Sequence, residues 1–307
     1  MKIKILSMLL ILGLNSISLS AKIVVNDVTN INPIEVKKII TPQASDEIKL
    51  AVKSNTGPVS IGGGRFSMGG QTATEQALQI DMRSFNKVLK LDIEKKQITV
   101  QSGIRWRDIQ EEIDKHNLSI KIMQTYSNFT VGGSLSVNVH GRYIGEGPII
   151  RSVESIKIVL ADGVEVTASR TENQDIFYAA LGGYGGIGVI TEVTLNLVPN
   201  EKIHREIIKM PASEYKKYFW THIRENKDAI FHNGDLYPPN YKEVSLETWS
   251  RTDKPLTIDA KLIPRDQKYL LEPNAISSIS TIPFGSEIRQ KILDPMMHKK
   301  EMVVWRN

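Results

Sequence analysis

From Lys22 to Pro199, apolar residues come in short runs broken by glycine and charged turns, the pattern of a β-rich chain with few helices. Val59-Ser60-Ile61 predicts a buried strand running into Gly62-Gly63-Gly64, and Ala77 to Met82 predicts another. Val88 to Ile93 and Gln97 to Gln101 predict a hairpin pair around Glu94-Lys95-Lys96. A second hairpin is expected where Ile156 to Leu160 and Val164 to Thr167 flank Asp162-Gly163, because Asp-Gly readily takes the positive φ of tight turns. Trp106, Ile109 and Ile113 stand at helical spacing, which predicts a helix over Trp106 to His116 ending at Asn117. Gly188 to Leu197 reads as one more strand, ending at Pro199.

After Pro199 the character changes. Tyr215, Tyr218, Phe219, Trp220, Phe231, Tyr237, Tyr241 and Trp249 make this stretch aromatic. Ser213 to Arg224 predicts an amphipathic helix with Ser213 as its N-cap, and Val244 to Trp249 and Leu256 to Leu262 predict strands. Met302 to Trp305 looks like a strand just beginning, so this second region is expected to be incomplete relative to longer relatives. A domain boundary is expected near residue 200, giving segments 22–201 and 202–307.

Composition narrows the chemistry. The 307 residues contain no cysteine, which excludes disulfides, thiolate metal sites, a cysteine nucleophile and a cysteinyl flavin link. The net charge of +5 comes from Lys and Arg interleaved with Asp and Glu, which suits attraction of anionic ligands and gives little support for nucleic-acid binding. The histidines show no paired metal spacing, so no metal is expected, and no Gly-x-Ser-x-Gly elbow is present. Lys2 and Lys4, the apolar run Ile5 to Leu14 and the small residues Ser18, Ser20 and Ala21 have the layout of a signal peptide over residues 1–21. The expected location is therefore periplasmic or secreted, with no stable membrane span once the signal is removed.

Four glycine-rich segments carry the candidate site. Gly62-Gly63-Gly64-Arg65-Phe66-Ser67 with Gln71 follows a strand, and its backbone N–H groups can converge on a phosphate; a plain hairpin turn explains it equally well. Thr130, Gly132, Gly133, Ser134, Ser136 and Asn138 offer hydroxyl, amide and backbone donors in a compact run that ends in His140-Gly141. Taken alone, His140 reads more readily as a satisfied core residue than as a functional one. Leu181 to Gly186 and Gly188-Val189-Ile190-Thr191 read as tight turns entering a strand.

Taken in order, these segments resemble a known family. Gly62 to Ser67, Ile80-Asp81-Met82, Ile98 to Gly103, Thr130 to Gly133, Val139-His140-Gly141 and Gly186 to Thr191 are similar to the FAD-binding (PCMH-type) domain of the vanillyl-alcohol oxidase and p-cresol methylhydroxylase superfamily. Gly64-Arg65 and Val139 to Arg142 are most similar to its decaprenylphosphoryl-ribose oxidase and aldonolactone or alditol oxidase branch. The resemblance covers about residues 35 to 201. It implies an α+β fold: two subdomains holding FAD, followed by a partial α+β substrate cap with an antiparallel sheet. It further implies that Gly62, Gly63, Gly64, Arg65, Phe66, Ser67 and Gln71 wrap the diphosphate. Thr130, Gly132, Gly133, Ser134, Ser136 and Asn138 would line the diphosphate and ribityl side. His140, Gly141, Gly188 and Ile190 would lie near the flavin rings. Relatives with histidyl-linked FAD often carry the histidine directly after the first glycine run; here Arg65 stands there, so non-covalent FAD is expected.

The expected activity is an FAD-dependent oxidase or dehydrogenase taking hydride from the CH–OH group of a sugar, aldonolactone or related alcohol, with oxygen or a redox carrier as acceptor. The catalytic base is not identified. An inactive flavin-binding protein is the alternative, and a flavin reductase of cell-wall precursor synthesis a more distant one.

Overall fold

The computed structural model describes residues 22–238, 240–265, 279, 281–288, 291–292 and 301–307. The expected signal segment, residues 1–21, lies outside the described residues.

Residues up to 199 build two layers with different sheets. A parallel sheet is formed by β3 (Lys38–Ile40), β4 (Val59–Gly62) and β5 (Leu78–Asp81), in the order β3-β5-β4. The helix α1 (Ser45–Ser54) connects β3 to β4, as parallel neighbours require a crossover. A short antiparallel pair, β1 (Ile23–Val25) and β2 (Ile34–Val36), precedes it. The larger sheet is antiparallel: β6 (Val88–Asp92), β7 (Gln97–Gln101), β8 (Leu118–Ile120), β9 (Val153–Val159), β10 (Glu165–Ser169) and β11 (Val189–Pro199). Its order is β10-β9-β11-β7-β6, with β8 pairing the far end of β11. Both predicted hairpins form, and Gly163 turns the second with φ +81°.

Burial explains why these runs are strands. Along β11, buried residues alternate with half-buried ones from Val189 to Leu197, so one face is committed to the core. That core joins the sheet to α2 (Trp106–Ile113), α3 (Val131–Ser136) and α4 (Gln174–Ala180). In α2, Trp106, Ile109 and Ile113 are fully buried, and Asn117 ends the helical run in a left-handed conformation, as the spacing predicts. A second cluster of Ile48, Val52, Ile80, Met82 and Phe85 meets Val159 and Val189, which joins the parallel layer to the antiparallel one.

Beyond Pro199 the chain enters a separate antiparallel sheet, ordered β13-β14-β12-β15: β12 (Lys202–Pro211), β13 (Ala229–Leu236), β14 (Glu243–Arg251) and β15 (Val303–Trp305). Two expectations change here. The predicted helix forms as α5 (Ala212–Tyr218) followed by a wider π-type turn over Phe219–Arg224, but Ser213 is not its cap. Ala212 N–H already donates to the Lys242 carbonyl at 2.7 Å, so the chain turns helical directly after Pro211, one residue early. Leu256 to Leu262 is not a strand. Its backbone pairing with β15 is limited to Thr257, whose N–H donates to the Val303 carbonyl at 2.9 Å, and Ile258 is left exposed, so no face is buried to stabilise a strand.

The two regions are tied together by the segment after Gly141. Ile144 N–H donates to the Ile230 carbonyl and His232 N–H to the Arg142 carbonyl, both at 2.9 Å. Tyr143 stacks edge-on against Phe231 with ring centres 4.8 Å apart.

Candidate functional site

The loop leaving β4 and the loop entering α3 face each other across a cavity of about 250 Å³. Glycine makes their close approach possible. A Cβ on Gly63 would stand 2.4 Å from Thr130 Oγ1, and one on Gly132 would stand 2.9 Å from the Ser102 Cβ. Thr130 caps α3, its hydroxyl accepting from Gly133 N–H and from Gly64 N–H, each at 3.3 Å. The backbone N–H groups of Gly63, Phe66 and Ser67 have no partner among the described residues. They are donors already placed at the cavity.

Arg65 is the one charged residue among the described lining, held at φ +60°. Its guanidinium donates to Asp81 at 2.9 Å, but Asp81 is shared with Arg83, which holds it at 2.6 Å. Burial pushes the Asp81 carboxyl up, and the hydrogen bonds and charges of Arg83 and Arg65 outweigh it, leaving the group below its ordinary range. Burial, together with the neighbouring charge of Arg83, lowers Arg65. One carboxylate thus serves two guanidiniums. Arg65 and Thr72 line this cavity, and Arg65 Nε and Thr72 Oγ1 are buried with no partner among the described residues.

Of the residues the sequence nominates, Gly63, Gly64, Arg65, Phe66, Ser67, Gln71, Thr130, Gly132, Gly133, Ser134, Ser136, Gly188 and Ile190 line this cavity. Gly62, Asn138, His140 and Gly141 are not among the lining residues. Gly62 packs at the end of β4, where a Cβ would meet Gln79 at 2.5 Å. Asn138 instead accepts from Ile150 N–H through its side chain at 3.2 Å. His140 is exposed, which removes the core reading, and Gly141 leaves no room for a Cβ beside the Met123 carbonyl at 2.2 Å.

The structure adds residues that no motif suggested as ligands. Ser102 follows β7 and donates to the Ile190 carbonyl at 2.6 Å, beside the irregularity that breaks the β9–β11 register between Ile190 and Glu192. Gln124 is fixed through its side-chain oxygen, which accepts from Ser134 Oγ at 2.6 Å and from Trp106 Nε1 at 3.2 Å. Its amide nitrogen has no partner among the described residues. Phe66, Tyr126 and Phe129 form an edge-to-face trio with centres 5.0 to 5.4 Å apart, bridging the two loops.

Gln124 also lines a second cavity of about 710 Å³, between α2, the segment after Ile122 and the second sheet. Arg105, Arg107, Arg142, Arg265 and Arg306 line it, with Tyr143 and Phe231. Burial pushes the Tyr143 hydroxyl up to about 12 despite the opposing charge of Arg306. Among the described residues no cluster of His, Asp or Glu could hold a metal ion, and no helix is long and apolar enough to cross a membrane.

With this geometry in view, residues 36–169 match the FAD binding domain family. The chain carries an FAD binding domain. It is 29% identical over 216 residues to L-gulonolactone oxidase of Bos taurus, covering 65% of this chain and 49% of that protein. The Mus musculus protein of the same name is 30% identical over 212 residues, covering 69% of this chain and 47% of the relative. The mitochondrial L-galactono-1,4-lactone dehydrogenase 2 of Oryza sativa subsp. japonica is 33% identical over 155 residues, 50% of this chain and 27% of that one. The chain spans about half the length, or less, of these curated relatives.

The FAD domain's own residues fit the cofactor. Free backbone donors, an under-neutralised buried arginine and two glycine loops in contact are what a diphosphate needs. Size adds a constraint. Sites for drug-sized ligands occupy roughly 300–1,000 Å³, so a cavity of about 250 Å³ takes the diphosphate part of FAD and the rest of the cofactor extends beyond it.

Proposed function

We propose that the chain is the flavin-binding part of an oxidoreductase that oxidises the CH–OH group of a sugar, aldonolactone or related alcohol, with FAD held non-covalently. The observation that carries this is the cavity between the two glycine loops, with Gln124 in its lining and in that of a larger chamber. Bound FAD would accept the two electrons and the hydrogen of the C–H bond, while the hydroxyl proton leaves to a base and the carbon becomes a carbonyl. This chain's residues do the holding. The Gly63, Phe66 and Ser67 N–H groups and Arg65 bind the diphosphate, and the Phe66, Tyr126 and Phe129 trio excludes water from one side. Non-covalent attachment is supported by Arg65 at the position after the glycine run and by the absence of any histidine among the described lining residues. Oxygen or a redox carrier would take the electrons afterwards. The layout of residues 1–21 supports export to the periplasm or beyond.

The second reading, a flavin binder that turns nothing over, draws on one observation: no carboxylate or imidazole is among the described lining of the first cavity. Reconstitution with FAD followed by gel filtration tests both. Co-eluting absorption near about 375 and 450 nm, released on acid precipitation, is expected for a non-covalent site. Bleaching of the longer-wavelength band by an alcohol substrate supports the oxidoreductase; a stable band with every sugar and lactone tried supports the inert binder. Protein that elutes without flavin overturns the proposal.

A further inference from the structure

The second cavity is built of cations. Five arginines line it and, among the described lining residues, no Asp or Glu side chain does. The carboxylates that position these arginines stand behind them. Glu111 accepts from Arg107 at 2.9 Å and from Arg265 at 2.6 Å, and Asp108 also holds Arg265. The two arginines together hold the Glu111 carboxyl down to about 2, with Arg265 the larger influence, so this pairing persists at neutral pH. Arg142 is held by Asn233 at 2.9 Å and lies 3.5 Å from Glu247.

Arg105 and Arg142 keep donating capacity, since only Nη1 of Arg142 is engaged, and Arg306 adds a nearly buried charge. Arg105 is exposed, and its side chain has no partner among the described residues. Arg306 is the more telling. Its side chain is only 5% exposed, bound to Glu201 at 2.9 Å and to the Lys121 carbonyl at 3.2 Å, yet its Nε is buried with no partner. That Nε is closed to solvent, so Arg306 acts on a ligand in the chamber through its charge and not through this N–H. The rings of Tyr143 and Phe231, 5.4 and 5.8 Å from its guanidinium carbon, keep it in a low-dielectric setting where an anion is felt strongly.

We propose that this chamber selects an organic anion: a polyhydroxylated molecule bearing a carboxylate or phosphate, its charged end on Arg105, Arg142 and Arg306 and its hydroxylated body reaching Gln124. The inference rests on the proposed oxidoreductase reading, since Gln124 is where such a molecule meets the flavin cavity. The neutral lactones named for the relatives would then be poorer ligands than their anionic counterparts.

Calorimetric titration of the whole chain, with and without FAD, tests this. D-Gluconate and D-glucose 6-phosphate are the anionic probes, sorbitol and glucose their neutral counterparts, and inorganic phosphate the bare anion. At least one anionic probe should bind about ten-fold or more tightly than its neutral counterpart. That affinity should fall as salt is raised from about 50 to about 500 mM. Preference for gluconate would assign a carboxylate ligand, and preference for glucose 6-phosphate a phosphate. Arg105→Gln should weaken binding about three-fold or more while leaving the melting temperature and flavin content unchanged. Arg142→Gln provides a second variant on another segment. Equal affinity for charged and neutral probes overturns the proposal, as does unchanged affinity in both variants. Inorganic phosphate binding as tightly as the sugar phosphate would remove the polyol from it. Flavin content is read in the same samples. If flavin binds and no anion does, this inference falls alone; if an anion binds and flavin does not, the function proposed above falls alone.

Discussion

The two cavities are lined by different kinds of atoms. The first is made of backbone: glycine loops brought together so closely that a Cβ at Gly63 would strike Thr130, with one arginine and half a counter-charge. The second is made of side chains from six separate stretches of chain, around residues 105, 124, 142, 231, 265 and 306. Yet they share a property. Of the five buried side-chain atoms that lack a partner among the described residues, four belong to residues that line one cavity or the other: Arg65 Nε and Thr72 Oγ1 in the first, Arg306 Nε and Asn307 Oδ1 in the second. Unpartnered buried side-chain atoms are thus concentrated in residues around the two cavities, with Asn26 Oδ1 the one elsewhere among the described residues.

The comparison can be broken most forcefully at Asp81. Asp81→Asn leaves Arg65 and Arg83 side by side without their carboxylate, and urea unfolding of the flavin-free protein should show a loss of about 3 kcal/mol. Saturating FAD should recover part of it, because a diphosphate would supply the missing charge. An equal loss with and without FAD would show that Arg65 does not face the phosphates.

Gly63→Val tests whether the first cavity depends on backbone approach alone. Flavin affinity should fall about 30-fold, on the order of 2 kcal/mol, while anion binding in the second cavity stays within about two-fold of wild type. A loss of both would mean the cavities do not separate in this way.

Trp106→Phe sharpens the role of the junction. Trp106 Nε1 donates to Ser134 Oγ at 2.9 Å and to the Gln124 side chain at 3.2 Å. Removing it should cost about 1 kcal/mol of stability and weaken ligands in both cavities together, since Gln124 borders each. If titrations of the variant move in only one cavity, Gln124 is not the shared element.

The smallest expected effect lies away from both cavities and serves as a control. His232 bonds Tyr215 at 3.0 Å and Thr248 at 2.9 Å, and burial lowers its pKa. An unfolded histidine titrates near about 6.5. As pH falls through that value the unfolded chain takes up the proton first, so stability is full above it and declines below, down to the folded pKa. Melting temperature should drop by a few degrees between about pH 7 and pH 5.5. His232→Gln should flatten that slope without changing flavin binding.

Local chemistry was legible wherever it acts locally. The Asp162-Gly163 turn, the Trp106-Ile109-Ile113 face and the strand ending at Pro199 each depend on neighbours within a few residues, and each formed as read. Ser213 was misread as a cap because the Lys242 carbonyl, distant in sequence, already serves the start of that helix. Leu256 to Leu262 looked like a strand because β-propensity carries no information about whether a face will be buried.

The same division runs through the site. Read singly, the glycine runs were explained equally well as turns; their order, through the family resemblance, marked the FAD domain and most of the residues lining its first cavity. The sequence could not say that His140 would be exposed and off that cavity, nor that Gln124 would border both chambers. Arginines scattered from Arg105 to Arg306 look like solvated surface when read one at a time. Only folding sets them around one space with their carboxylates behind them, because charge acts through distance in three dimensions and not through order along the chain.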